Sequence, residues 1–195
     1  MDGVGKSTIA KKIAKSLGYI YLDKPLKELF QTEKTNGEEL LSIISNKIYD
    51  FDTEIIKAWF FGMGNIYSFL KYKNEDLVID RHFASNYFWN GTSETNCIFK
   101  NMIDLIGVPD LTIVLYASVK TRIERIYSRN PKDYDLQDQE KHVDGYDKML
   151  NFFNQFNVPY IFVNTENKTE EEIYIEVLNL IKEYNKKPYG KVLKK

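Results

Sequence analysis

Gly3-Val4-Gly5-Lys6-Ser7-Thr8, preceded by Met1-Asp2, is the stretch that most restricts what this chain can become. It reads as the second half of a phosphate-binding loop, G-x-x-x-x-G-K-[ST], whose first glycine would fall one residue ahead of Met1. Backbone N–H groups from Gly3 through Thr8 can converge on one anion-sized nest. Glycines at 3 and 5 leave room for a phosphate to approach the main chain. Lys6 supplies a point charge for β- and γ-phosphates, and Ser7 offers a hydroxyl to Mg²⁺. Such a loop hangs between a strand and a helix, which commits the chain to an α/β fold. The helix is legible: Ile9, Ala10, Ile13, Ala14 and Leu17 recur at helical spacing, Lys11, Lys12 and Lys15 face outward, and Gly18 is a natural stop. Its amino end would aim a dipole at a bound phosphate. The strand expected ahead of the loop is absent from the sequence. A parallel sheet lacking a middle strand leaves backbone groups and apolar side chains unpaired.

The remaining chain alternates strand and helix. Four short apolar runs read as buried parallel strands: Tyr19 to Leu22, Leu77 to Ile79, Leu111 to Ala117 and Tyr160 to Val163. Between and after them lie helical patterns: a short one from Pro25, then Glu38 to Ile48, Glu54 to Lys71, Ala84 to Trp89, Glu94 to Ile106, Val119 to Arg129, Leu136 to Phe156 and Glu170 to Tyr184. Thr169 and Glu172 form a capping box. The expected fold is a P-loop NTPase three-layer sandwich, a parallel sheet with helices on both faces and its first strand missing. At 195 residues, 43% hydrophobic and 28% charged, one domain over 1–185 is expected, with a lid near 130–136 and a basic tail over 186–195. A net charge of −1 argues against a nucleic-acid binder. The single cysteine, Cys97, excludes an internal disulfide and fits the reducing cytoplasm; its helical stretch suggests a packed thiol. No apolar run is long enough to span a membrane.

Ligands of such sheets sit at the carboxyl ends of strands. Asp80-Arg81-His82 follows one strand directly. Asp80 can hold Mg²⁺, usually through water, and Arg81 can neutralise charge on a transferring phosphoryl group. His82 serves turn packing and catalysis equally well on this evidence. Arg125 and Arg129 share a helix face before the polar, Pro131-broken segment, which looks like a lid able to carry Arg129 or Lys132 toward ATP. Arg122 fits a solvated helix face better. Three adjacent aromatics, Trp59-Phe60-Phe61, cannot all face one core, so one can stack on a base. Gly62 and Gly64 weaken their helix by about 1 kcal/mol each, which suggests that a ligand or another backbone approaches there.

These motifs together resemble the thymidylate kinase family and its neighbours, the deoxynucleoside kinases, over nearly the whole chain. Asp2 to Thr8 resembles the family's loop, Asp80-Arg81-His82 with Ser85 its Asp-Arg-[His/Tyr] motif, Pro109-Asp110-Leu111-Thr112 its Pro-Asp-Leu strand, and Glu124-Arg125-Ile126 with Arg129 the helix entering its lid. Asn164-Thr165 sits where the family's adenine loop follows the last strand. The resemblance implies ATP- and Mg²⁺-dependent phosphoryl transfer to a deoxynucleotide, and a homodimer. It implies Asp2 on the acceptor's sugar, Lys6 and Arg81 on the transferring phosphate, Phe61 on the acceptor base, and Arg125 near adenine. Two positions depart from the family. Asn65 stands where an acceptor-gripping Arg is usual, and the second strand ends in Leu22-Asp23-Lys24-Pro25, with Lys24 or Lys27 as the only cations. A monophosphate dianion is best held by Arg, whereas a nucleoside needs a carboxylate base, which Asp23 could supply. The reading favours a deoxynucleoside monophosphate acceptor, dTMP foremost, over a nucleoside. A nucleotide-hydrolysing protein is a third reading, since Asp104-Leu105-Ile106-Gly107 superficially matches a GTPase D-x-x-G.

Overall fold

The computed structural model describes residues 3–132 and 145–186. Asp2, the stretch from 133 to 144 of the expected lid and following helix, and the tail beyond Lys186 lie outside the described residues. The elements run α1 (Lys6–Leu17), β1 (Ile20–Leu22), α2 (Pro25–Phe30), α3 (Gly37–Tyr49), α4 (Glu54–Lys71), β2 (Leu77–Ile79), α5 (Phe83–Asn90), α6 (Asn96–Ile106), β3 (Thr112–Tyr116), α7 (Val119–Arg129), α8 (Gly145–Phe156), β4 (Tyr160–Asn164) and α9 (Glu170–Lys186). Most boundaries have visible chemical causes. Gly18 ends α1 in the left-handed region at φ 72°. Asn36 Oδ1 accepts from Glu38 N at 3.0 Å, and Thr53 Oγ1 from Ile55 N at 3.2 Å. Thr169 Oγ1 accepts from Glu172 N at 3.3 Å while Glu172 Oε2 accepts from Thr169 N at 2.7 Å, the reciprocal box the sequence predicts.

Every strand pairing is parallel. β1 pairs with β2 in the register Tyr21 to Val78, and β3 with β4 in the register Val114 to Phe162. The architecture is α/β with helices on both faces. The expected single sheet is nevertheless divided: among the described residues the strands form two separate two-stranded sheets. The division falls between β2 and β3, which no strand joins among the described residues.

Two cores lie on opposite faces. One gathers Phe83, Tyr87, Phe99, Met102, Val114, Phe152 and Phe153 from α5, α6, β3 and α8. The other gathers Val4, Ile9, Ile13, Leu115, Val163, Ile173 and Val177 around α1 and α9. Adjacent β3 residues therefore feed opposite cores, as a strand covered on both faces requires. Cys97 is exposed rather than packed, because α6 turns Ile98, Phe99 and Met102 inward and leaves its neighbour outside. The glycines of α4 are explained by helix packing. A Cβ on Gly62 would fall 2.2 Å from Met102 Sδ, and one on Gly64 3.1 Å from Leu26 Cγ. Both close contacts are with side chains, so helix packing, not a ligand or another backbone, accounts for the two glycines.

Candidate active site

The phosphate loop owes its shape to two left-handed residues, Gly3 at φ 81° and Gly5 at φ 88°. A side chain at Gly3 would also meet the Arg122 carbonyl at 2.7 Å, so glycine is required there twice over. Val4 is buried and anchors the loop in the α1 core. Gly5 caps α1, and its carbonyl accepts from Ile9 N at 3.0 Å. The free amides of the helix start, with Lys6 and Ser7 as its first residues, make an anion seat. Thr8 is exposed one residue further along.

Asp80 comes to the same place from the end of β2, and Ser7 Oγ donates to its Oδ2. Tyr21 OH donates to the same oxygen at 3.3 Å, and burial together with the Asp80 charge raises the Tyr21 phenol well above its ordinary range. Asp80 Oδ1 is buried without a partner. A hydroxyl beside a carboxylate that holds one unused oxygen is a hard-oxygen donor set, and it fits a divalent cation such as Mg²⁺. Arg81 stands next in sequence and faces Tyr49 closely enough for its charge to act on that phenol. His82 packs edge-on against Phe83 at 4.4 Å, and burial pushes its imidazole down to about 4. It is thus neutral at physiological pH, and its buried Nδ1 has no partner. Ser85 lies one turn on, its N–H bonded to the His82 carbonyl at 3.0 Å.

On the acceptor side, Phe61 meets Tyr49 at 5.6 Å and Phe60 at 5.1 Å between ring centres. Tyr49 did not stand out in the sequence, because it contacts Phe61 only through the packing of α3 on α4. Asn65, one turn after Phe61, is buried with its Nδ2 unpartnered. Lys27 pairs with Glu38 at 2.8 Å and Lys24 reaches the same carboxylate at 3.9 Å, so both cations of this corner already face an anion. Asp23 is half-buried directly after β1.

The far end of the site is a cross-linked pair of loops. Arg125 donates through Nη1 to Thr165 Oγ1 at 3.0 Å and through Nη2 to the Thr165 carbonyl at 2.7 Å. Thr165, fully buried, bonds the Tyr116 carbonyl through its N–H at 2.8 Å and its hydroxyl at 3.0 Å. Asn164 Oδ1 accepts from Glu166 N at 2.9 Å. Glu166, which the sequence did not single out, accepts from Ser118 N and from Thr121 Oγ1, the latter at 2.6 Å. The Thr121 and Ser118 bonds hold its carboxyl down at about 2. Arg129 is exposed at the end of α7, whereas Arg122 is not on a solvated face: it is 4% exposed behind Gly3, with a buried, unpartnered Nε. The packing of α7 against the phosphate loop buries it, and one helix pattern read alone carries no sign of that. The GTPase-like match also dissolves. Asp104 pairs with Lys100 at 2.5 Å on the surface, and Gly107 caps α6.

An anion seat on a helix start, faced by a strand-end carboxylate and arginine, defines a P-loop phosphotransferase of the nucleotide kinase kind. A family model described as thymidylate kinase matches residues 1–174, and the chain belongs to that family. It is 27% identical over 186 residues to a probable thymidylate kinase of Methanococcus aeolicus, covering 91% of this chain and 90% of that one. It is 25% identical over 191 residues to the thymidylate kinase of Brachyspira hyodysenteriae, covering 94% and 90%. Among solved structures it is similar to deoxyadenosine kinase from M. mycoides with products dCMP and a flexible dCDP bound, with a TM-score of 0.64, 20% identity and coverage of 93% and 96%. The activity is that of a nucleotide or nucleoside kinase. No helix among the described residues is long and apolar enough to cross a membrane.

Proposed function

We propose that this protein transfers the γ-phosphoryl group of ATP to a deoxynucleoside monophosphate, with dTMP as the preferred acceptor. The observation that carries the reading is the meeting of Ser7 and Asp80 beneath the Gly3–Gly5 cradle, with Arg81 beside it. In this reading the loop amides and Lys6 bind the β- and γ-phosphates and fix the γ-group for in-line attack. Ser7 and Asp80 would hold Mg²⁺, which would neutralise phosphate charge when bound. Arg81 stabilises negative charge that grows on the transferring group, and Arg129, at the end of α7, reaches toward the same phosphates. Arg122 adds a buried positive charge behind the loop. Asn164, Thr165 and Arg125 form the donor-base shelf. Phe61 and Tyr49 stack on the acceptor base, and Asn65 and Ser85 bond its edge or sugar, with Asp2 on the sugar. The family match and the two thymidylate kinase relatives support dTMP.

One observation favours a second reading. Lys24 and Lys27 share Glu38, and Asn65 replaces an arginine, so the acceptor corner has little unshared positive charge for a dianion. A nucleoside would need only a base, and Asp23 stands at the strand end to serve. Release of ADP from ATP, followed with dTMP, dCMP, dAMP, thymidine, deoxycytidine and deoxyadenosine in turn, separates the two. Turnover led by dTMP supports the proposal. Turnover on nucleosides alone, abolished by Asp23→Asn, replaces it with the second reading.

A further inference from the structure

Arg122 lies near the start of α7 and is 4% exposed. Its backbone presses on the phosphate loop: a Cβ on Gly3 would fall 2.7 Å from the Arg122 carbonyl oxygen and 3.1 Å from its Cα and its Cβ. From there the charge of the side chain reaches the phenol of Tyr146, in the first turn of α8. Tyr146 OH donates to the Leu115 carbonyl at 3.5 Å, and its ring meets Tyr116 at 5.1 Å between centres. A full positive charge is thus buried where the phosphate loop, the carboxyl end of β3 and the start of α8 come together.

Among the described residues no carboxylate pairs with this charge, and the buried Nε has no hydrogen-bond partner. Glu166, the acid that bonds the start of the same helix, is committed to Ser118 and Thr121, and the arginine whose charge acts on it is Arg125. Glu124, two positions along α7, is exposed and does not share a face with Arg122. Arg125 shows what a structural arginine of this helix looks like, with both of its terminal nitrogens bonded to Thr165. Arg122 has no such bonds. A guanidinium cannot escape burial by losing its proton, as a buried lysine can. Held out of water without a counter-charge, it is among the most costly groups a fold can carry. The anion that completes its surroundings therefore comes from outside the chain, and the anion seat beside it is the loop of Gly3, Gly5 and Lys6.

We propose that Arg122 is a second cationic contact of that seat, one that binds polyphosphate: the loop amides and Lys6 hold the anion, and the Arg122 guanidinium neutralises it from the α7 side. This rests on the reading of the loop as a triphosphate seat. The empty protein carries one uncompensated buried charge and the occupied protein does not, so filling the seat relieves a cost already present in the folded chain. Two consequences pull in opposite directions. An apolar side chain of similar length in place of Arg122 should make the empty protein more stable. The same change should weaken its hold on polyphosphate. A side chain that merely packed α7 against the loop would give the reverse of the first effect and none of the second.

The test compares the natural chain with Arg122→Met, Arg122→Lys and Lys6→Ala by thermal unfolding and isothermal titration in EDTA, with inorganic tripolyphosphate, ATP and dTMP as probes. Arg122→Met should raise the Tm of the empty protein by ~4 °C. It should weaken tripolyphosphate and ATP alike, on the order of 30-fold, and leave dTMP binding unchanged. Arg122→Lys, which keeps the charge and loses the planar fork, should bind tripolyphosphate with an affinity between the two. A Met variant that is less stable than the natural chain when empty overturns the proposal, as does one that binds tripolyphosphate equally well. Weaker dTMP binding with tripolyphosphate unaffected overturns it too, because the charge would then serve the acceptor. Lys6→Ala separates this proposal from the reading beneath it. If Lys6→Ala abolishes tripolyphosphate binding and Arg122→Met does not, the loop reading stands and the role of Arg122 falls. If the natural chain binds no tripolyphosphate, both fall. The expected binding pattern without phosphoryl transfer to any acceptor supports the role of Arg122 and removes the kinase reading alone.

Discussion

His82 offers a direct test of how tightly the turn after Asp80 is sealed. Its imidazole is shielded beside Phe83, and burial alone lowers it from 6.5 to about 4. An unfolded chain binds a proton at this histidine below pH 6.5, and the folded chain does so only near 4. Stability from this site is therefore complete above pH 6.5, falls as pH drops through the interval to 4, and is flat below. At about 1.4 kcal/mol per pH unit, the interval amounts to roughly 3 kcal/mol. His82→Phe removes the titration while keeping a ring against Phe83, and it discards a buried nitrogen that had no partner. Urea unfolding of both proteins between about pH 4 and pH 8 gives two stability curves. The carboxylates common to both cancel in the difference. The variant should gain on the natural chain by about 3 kcal/mol between pH 7 and pH 4. Parallel curves would refute the reasoning, because they would mean that the folded chain accepts the proton as readily as the unfolded one.

Other outcomes follow from the same site. Gly3→Ala forces a side chain onto a φ of 81° and into the Arg122 carbonyl, so it should cost about 1–2 kcal/mol from backbone strain alone, read by urea unfolding, and should raise the KM for ATP. Lys6→Ala should lower kcat on the order of 10²–10³-fold, by analogy with loss of one preorganised donor; a change under about threefold counts against a catalytic loop. Glu166→Gln keeps the shape of the Ser118 and Thr121 contacts but removes the charge. It should raise the KM for ATP with kcat little altered, and in urea unfolding it should lose the share of acid destabilisation that Glu166 contributes as pH falls from about 4.5 toward 2. An equal loss in kcat would mean that Glu166 acts on the transferring group instead.

What could be read from the sequence was whatever local chemistry decides. The span of α4 from Glu54 to Lys71 is set by a threonine cap and a continuous apolar stripe, and both are visible in the string. The strand at Leu77–Ile79 and the meeting of Asp80 with the phosphate loop follow from periodicity and the strand-end rule. The start of α6 was misplaced by two residues because Thr92 and Thr95 form their own hydrogen-bonded turn, with Thr95 Oγ1 on the Asn90 carbonyl at 2.8 Å. Glu166 and Tyr49 escape the sequence reading, and Arg122 is misplaced on a solvated face, for a different reason. Glu166 finds Ser118 across 48 positions, and Arg122 is buried by a loop far earlier in the chain. Neither distance leaves a periodic trace. The aromatic run drew attention to Phe61, but its partner Tyr49 belongs to another helix.

The bonds among Arg125, Thr165, Glu166, Ser118 and Thr121 rivet the start of α7 to the turn after β4. Since Thr165 is also bonded to the Tyr116 carbonyl of β3, the helix that leads toward Pro131 and the shelf proposed for the purine are held to the sheet as one stiff block, whose near side also packs against Gly3. A base bound on that shelf would therefore meet a surface already shaped before it arrives.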